Sequence, residues 1–259
     1  EDRRTLRSTV LYASPMLALE NPGTDSDIFL NPRDRVQIFR LNEDRESSLA
    51  TLRDKLERQA TDPRSAPLVE IRGALRHTGR VPLAQDARLL DVITLGGGLR
   101  AGADTHVGFI ARTEFPSLEV RVFSFSVESA QRDPFNGGNP SIQVGDRVYV
   151  LPADAARSTL LADEIKRLRE QARFGEAERI VRILGEVLSP GDYPLIEDMR
   201  ASDLLCAARG LSRRADGVLI QLSRSASDFS GTSVNHQDLD SGRLMALCAE
   251  QRRADRGEL

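Results

Sequence analysis

Long apolar runs are missing from this chain. No stretch approaches the roughly 20 apolar residues that a helix needs to span a bilayer, and the start does not read as a signal. A dominant charge is missing too. The 36 basic and 39 acidic residues leave a net charge of -3, so no global field points to nucleic acid or an anionic membrane. Lysine is scarce, only Lys55 and Lys166 among the basic residues, a bias that a GC-rich genome explains more simply than a binding patch. Histidine is scarce as well: His77, His106 and His236 lack metal-ligand spacing and read as surface or turn residues, not a zinc site. The two cysteines, Cys206 and Cys248, suit either a reducing compartment or one bridge in an oxidising one. Cys206 sits in an apolar helical stretch and reads as a small buried hydrophobe in preference to half of a disulfide.

Catalytic constellations are equally thin. Ser230, His236 and Asp238 form a triad only on paper, because no nucleophile elbow surrounds Ser230 and the segment reads as a polar loop. Gly96-Gly-Gly98 follows a helical pattern, whereas phosphate loops precede a helix, so these glycines read as a cap. Asp238-Leu-Asp240 lacks the remaining ligands of a calcium loop. The expectation is no catalytic residue, no metal and no cofactor.

What the chain does have is itself, twice. A shift of 112 places Asp34-Arg-Val on Asp146-Arg-Val. It also places Val69, Ile71, Gly73, Gly79, Pro82, Leu83, Asp86, Asp91, Gly98 and Leu99 on Val181, Ile183, Gly185, Gly191, Pro194, Leu195, Asp198, Asp203, Gly210 and Leu211. Residues 30–112 against 142–224 give 23 identities in 83 positions, concentrated at glycine, proline and apolar sites. Such residues specify backbone path and packing, so a fold was duplicated rather than a catalytic cluster. The 259 residues, 40% apolar and 29% charged, have room for two soluble domains.

Within a copy, Asp34–Phe39 and Asp146–Leu151 alternate as half-buried strands. A helix follows, with Leu49, Leu52, Leu56 and Ala60 as its apolar stripe, and Leu161, Ile165, Leu168 and Ala172 in the second copy. Strands Leu68–Gly73 and Ile180–Gly185 come next. Turns at Gly79 and at Pro190-Gly191 then lead into short strands that Pro82 and Pro194 confine to a sheet edge. Helices over 89–97 and 201–209 carry Asp91 and Asp203 in the first turn, with Gly98 and Gly210 as αL caps closed by Leu99 and Leu211. Strands at Val107–Ala111 and Val218–Leu222 end each copy.

The run Val69-Glu-Ile-Arg-Gly73 to Gly79-Arg-Val-Pro-Leu83, then Leu89-Leu-Asp-Val-Ile and Gly96-Gly-Gly98-Leu99, resembles the soluble-ligand-binding β-grasp (SLBB) family. So, more closely, does Gly185-Glu-Val to Pro190-Gly191-Asp-Tyr193-Pro194-Leu195, then Asp203-Leu-Leu and Gly210-Leu211. Thr78 and Val81 depart from the family's proline and tyrosine, and Arg209 from a glycine. The linking segments Leu30–Val36 and Ile142–Val148 are similar to those of polysaccharide export proteins. The resemblance implies an α+β fold of two tandem β-grasp modules related by the 112-residue repeat, with additional linking helices. Residues 1–29 would be the tail of a preceding module. Residues 30–141 and 142–259 would be the repeats, with cores at about 69–112 and 181–224. Glu1 is no natural initiator, so the chain is expected to be a piece of a longer one.

The function implied is non-catalytic: export of capsule or exopolysaccharide in the periplasm, associated with the outer membrane. It would act through self-assembly and contact with polymer or inner-membrane export machinery. No nucleic acid and no membrane span within this piece are expected. The second reading is a soluble receptor module for a small ligand. The candidate binding residues lie on the hairpin turns, Arg76, His77 and Arg80 in one copy and Asp192 in the other; a turn and nothing more is the plainer alternative.

Overall fold

The computed structural model describes residues 8–13, 15–20, 22–24, 27–40, 43, 45–62, 65–153, 157–172, 177–215, 219–228 and 231–256. It is a mixed α+β protein. Helices α1 (Pro15–Glu20) and α2 (Arg45–Gln59) precede the hairpin β1 (Leu68–Gly73) and β2 (Gly79–Pro82), then α3 (Leu89–Leu95), β3 (Ala103–Thr113), β4 (Val120–Phe125) and α4 (Val127–Arg132). The second half runs β5 (Arg147–Pro152), α5 (Arg157–Gln171), β6 (Ile180–Ile183), β7 (Gly191–Pro194), α6 (Ala201–Ala207), β8 (Leu219–Asp228), β9 (Gly231–Asp240) and α7 (Ser241–Arg256).

The main sheet has the order β2-β1-β5-β3-β4. Strand β5 is central, parallel to β1 and antiparallel to β3. Its side chains alternate between two cores, as a doubly covered strand must. Val148 and Val150 join Val69, Ile71, Leu89, Val92 and Ile110 on one face. Tyr149 and Leu151 join Phe109, Val122, Leu161, Ile165, Leu168 and Tyr193 on the other. Each fully buried aliphatic contributes about 1.5–3 kcal/mol relative to exposure, so both layers are held chiefly by this one strand and its neighbours. Glycine is required where β1 leaves the sheet: a Cβ on Gly73, at φ +96, would come within 2.0 Å of the Val150 carbonyl oxygen.

The elements repeat at the 112-residue spacing. Leu49 and Leu56 of α2 are buried, as are Leu161 and Leu168 of α5. Strands β2 and β7 pair on one side only and end at Pro82 and Pro194. The Ser8 N–H donates to Gln59 Oε1 at 2.9 Å, and 112 residues on the Val120 N–H donates to Gln171 Oε1 at 2.7 Å.

Four expectations are corrected. Residues 34–39 form no strand; Val36 and Ile38 are 69% and 81% exposed, because no described strand offers them an edge. Their counterpart β5 opens the second copy in sequence yet lies inside the sheet of the first, buried on both faces rather than half-buried. The polar loop expected at 230–240 is strand β9 from Gly231 onward, and Ser230 lies outside the described residues, as does Val218. Finally, Cys206 and Cys248 form a disulfide across 42 residues that ties α6 to α7.

Candidate functional site

Each β-hairpin turn is strapped to the end of the helix that follows it. The Arg76 N–H donates to Gly98 O at 3.1 Å and the His77 N–H to Gly96 O at 2.9 Å. In the second copy the Leu188 N–H donates to Gly210 O and the Ser189 N–H to Ala208 O, both at 3.0 Å. Both helices end in a Schellman motif, in which the Gly98 N–H reaches back to Ile93 O and the Gly210 N–H to Leu205 O. The true αL residue is one position earlier than the sequence suggests: Gly97 at φ 80 and Arg209 at φ 71, with Gly98 and Gly210 following at 83 and 84. Asp91 and Asp203 accept from the Arg88 and Arg200 backbone N–H groups, each at 2.8 Å, which fixes the other ends.

On this platform the candidate residues have different roles. Arg76 is exposed. His77 is half-buried beside Gly97, and its Nε2 has no hydrogen-bond partner among the described residues. Arg80 forms an ion pair with Glu57 at 2.7 Å. Asp192 is not solvent-facing as expected: Arg182 holds it at 2.5 Å, Arg169 also pairs with it, and its side chain is 19% exposed. The guanidinium of Arg182 keeps its carboxyl below the usual carboxylate range, with Arg169 adding to the effect. Positions 57 and 80 map onto 169 and 192, so the same helix-to-strand ion pair occurs twice with its charges exchanged. Arg76, His77 and Arg80 thus share one turn region, and Asp192 belongs to the other copy's hairpin.

Two polar groups escaped the sequence reading. Arg45 and Arg157 open α2 and α5, and each guanidinium donates to the carbonyl end of the next helix. Arg45 reaches Thr94 O and Leu95 O, and Arg157 reaches Ala207 O. A cation there complements the negative helix terminus. Arg157 is fully buried and also pairs with Asp104. Their identity at the repeat spacing was the available signal. Arg147, Glu164 and the Tyr149 hydroxyl form a second buried cluster, with bonds of 2.7, 2.8 and 2.8 Å. Burial pushes the Glu164 pKa up, but the bonds from Arg147 outweigh it and the net shift is downward.

A cleft of about 360 Å³ opens between β3, β4 and α6. It is lined by His106, Ser124, Ser126, Met199, Asp203 and Asp255 among others. His106 is therefore no simple surface residue. Its Nδ1 lies 3.5 Å from Glu128 Oε2 and 3.8 Å from Asp255 Oδ2, and neither Nδ1 nor Glu128 Oε2 has a hydrogen-bond partner among the described residues. Burial raises the Asp255 carboxyl above its ordinary range. Among the described residues no group of His, Cys, Asp and Glu is arranged to hold a metal ion, and no helix is long and apolar enough to cross a membrane.

No curated protein matches the chain. Residues 180–234, which contain β6, β7, α6 and β8, match the SLBB domain family, so an SLBB domain is present in the second copy.

Proposed function

We propose that this chain is a non-catalytic part of a bacterial polysaccharide export protein, working in the periplasm by assembling with copies of itself and contacting polymer or inner-membrane machinery. SLBB is a binding domain, and its match covers the second repeat. On this reading residues 30–141 and 142–259 are tandem β-grasp modules, and 1–29 belong to a preceding one. The observation that carries it is the recurring contact between segments, Ser8 on Gln59 and Val120 on Gln171. An interface that repeats with the sequence suits an array that stacks one module on the next. The Cys206–Cys248 bridge suits an oxidising compartment such as the periplasm.

The test is the size of the full-length protein in detergent, measured by light scattering. A closed ring is expected, and a strictly monomeric particle removes the assembly reading. The cleft around His106 favours the second reading, a small-ligand receptor. Saturable binding of a small polar ligand to a monomer, lost in His106→Ala, would establish that reading instead.

A further inference from the structure

The main sheet reads β2-β1-β5-β3-β4, whereas the second copy holds only two separate pairs, β6-β7 and β8-β9. By the 112-residue shift these are the two outer halves of the same sheet, and what they lack is the counterpart of β5. Among the described residues β6 pairs only with β7, and β8 only with β9. The effect on burial is direct. Val69 and Ile71 are buried against β5, whereas their counterparts Val181 and Ile183 are half-buried, and Leu184 beside them is 72% exposed.

The chain also carries a strand of the missing kind that is not in a sheet. Residues 34–40 are the counterpart of 146–152, and the turn before them is already set. Arg33 has φ 78 where Gly145 has φ 82. The Asn31 N–H donates to Asp34 Oδ2 at 2.7 Å as the Gln143 N–H does to Asp146 Oδ2 at 2.8 Å. Val36 and Ile38 stand exposed where Val148 and Val150 are fully buried.

We propose that residues 31–40 of a second copy of this chain enter between β6 and β8, parallel to the first and antiparallel to the second, as β5 does in the first copy. Ladder bonds give such strand addition its affinity, and pockets for alternate side chains give it register. The template sets that register: Ile71 lies opposite Val148 and Arg72 opposite Tyr149, so Ile183 would face Val36 and Leu184 would face Gln37. Charge agrees. Asp146 takes a bidentate pair from Arg112, at 2.9 and 2.8 Å, and the counterpart of Arg112 is Arg224, exposed on β8. Asp34 of the second copy would take that pair. This deepens the self-assembly reading above and rests on it for the choice of a second copy.

A fluorescent peptide of residues 31–40 added to the intact chain tests the pairing. Saturable binding is expected, at least tenfold weaker for the peptide with Val36→Asp and Ile38→Asp. An Asp34→Arg peptide should bind weakly to the unaltered chain and recover on Arg224→Asp protein. No saturable binding, or equal binding by the Asp-substituted peptide, overturns the proposal. A mixture of Gln37→Cys and Leu184→Cys chains should form a disulfide-linked dimer on oxidation, and Gln37→Cys with Leu188→Cys should not. Peptide binding without the linked dimer would put some other strand in the gap and reject the second copy. Full-length protein that assembles unchanged with Val36→Asp and Ile38→Asp would reject strand donation while leaving self-assembly standing.

Discussion

Arg209 occupies a backbone position that glycine fills in the other copy. At φ 71 it is the αL residue of its Schellman cap, where Gly97 stands at φ 80. A side chain there costs about 1 kcal/mol that glycine avoids. Arg209→Gly should therefore raise the melting temperature by roughly 2–4 °C, and calorimetry showing no rise would remove the strain argument. Glu164 acts in the opposite sense. Its folded pKa lies below the ordinary 4.5, so its contribution is fully present above that value and is lost as pH falls through the lower folded one. Urea midpoints measured from pH 7 down to about pH 3 should drop below pH 4.5. Glu164→Gln should flatten that limb and destabilise the neutral protein by about 3 kcal/mol, because it leaves the Arg147 cation buried without its partner.

At the scale of elements, α7 is held through a covalent tie as well as by packing. The bridge to α6 closes 42 residues, for which chain entropy gives at most about 4 kcal/mol. Cys248→Ser, or a reductant, should lower the urea midpoint of the transition that includes α6, and equal midpoints with and without reductant would count against the tie. The paired hairpins give a second expectation. Arg76 is exposed, but Asp192 is locked between Arg182 and Arg169. Arg76→Glu should leave the melting curve unchanged, whereas Asp192→Lys should lower it, since it sets a cation against two others. Melting curves of the two variants, measured side by side, check this.

For the whole molecule, β5 makes the first copy and the second inseparable. It follows the first in sequence, belongs to the second by the repeat, and forms the middle of the first copy's sheet. A cut at the repeat boundary of 141 and 142 removes it. Residues 8–141 expressed alone should lose the two-state unfolding of the chain and expose apolar surface to a dye, whereas residues 8–153 should retain the sheet. Cooperative unfolding of the shorter piece would contradict the central role of β5.

The repeat, the helices with their leucine stripes, the edge prolines and the capping glycines were legible in the sequence. Each is a local matter of spacing or backbone conformation, and Leu49, Pro82 and Gly98 carry the same meaning wherever the segment lies. Sequence did not show which strand joins which sheet. Asp34-Arg-Val and Asp146-Arg-Val read alike, yet one is exposed and the other buried, because strand pairing depends on a partner edge that only the folded chain supplies. The disulfide, the inward turn of Asp192 and the polar cleft around His106 depend on the same thing. They arise where distant segments meet, and no periodicity within one segment records that meeting.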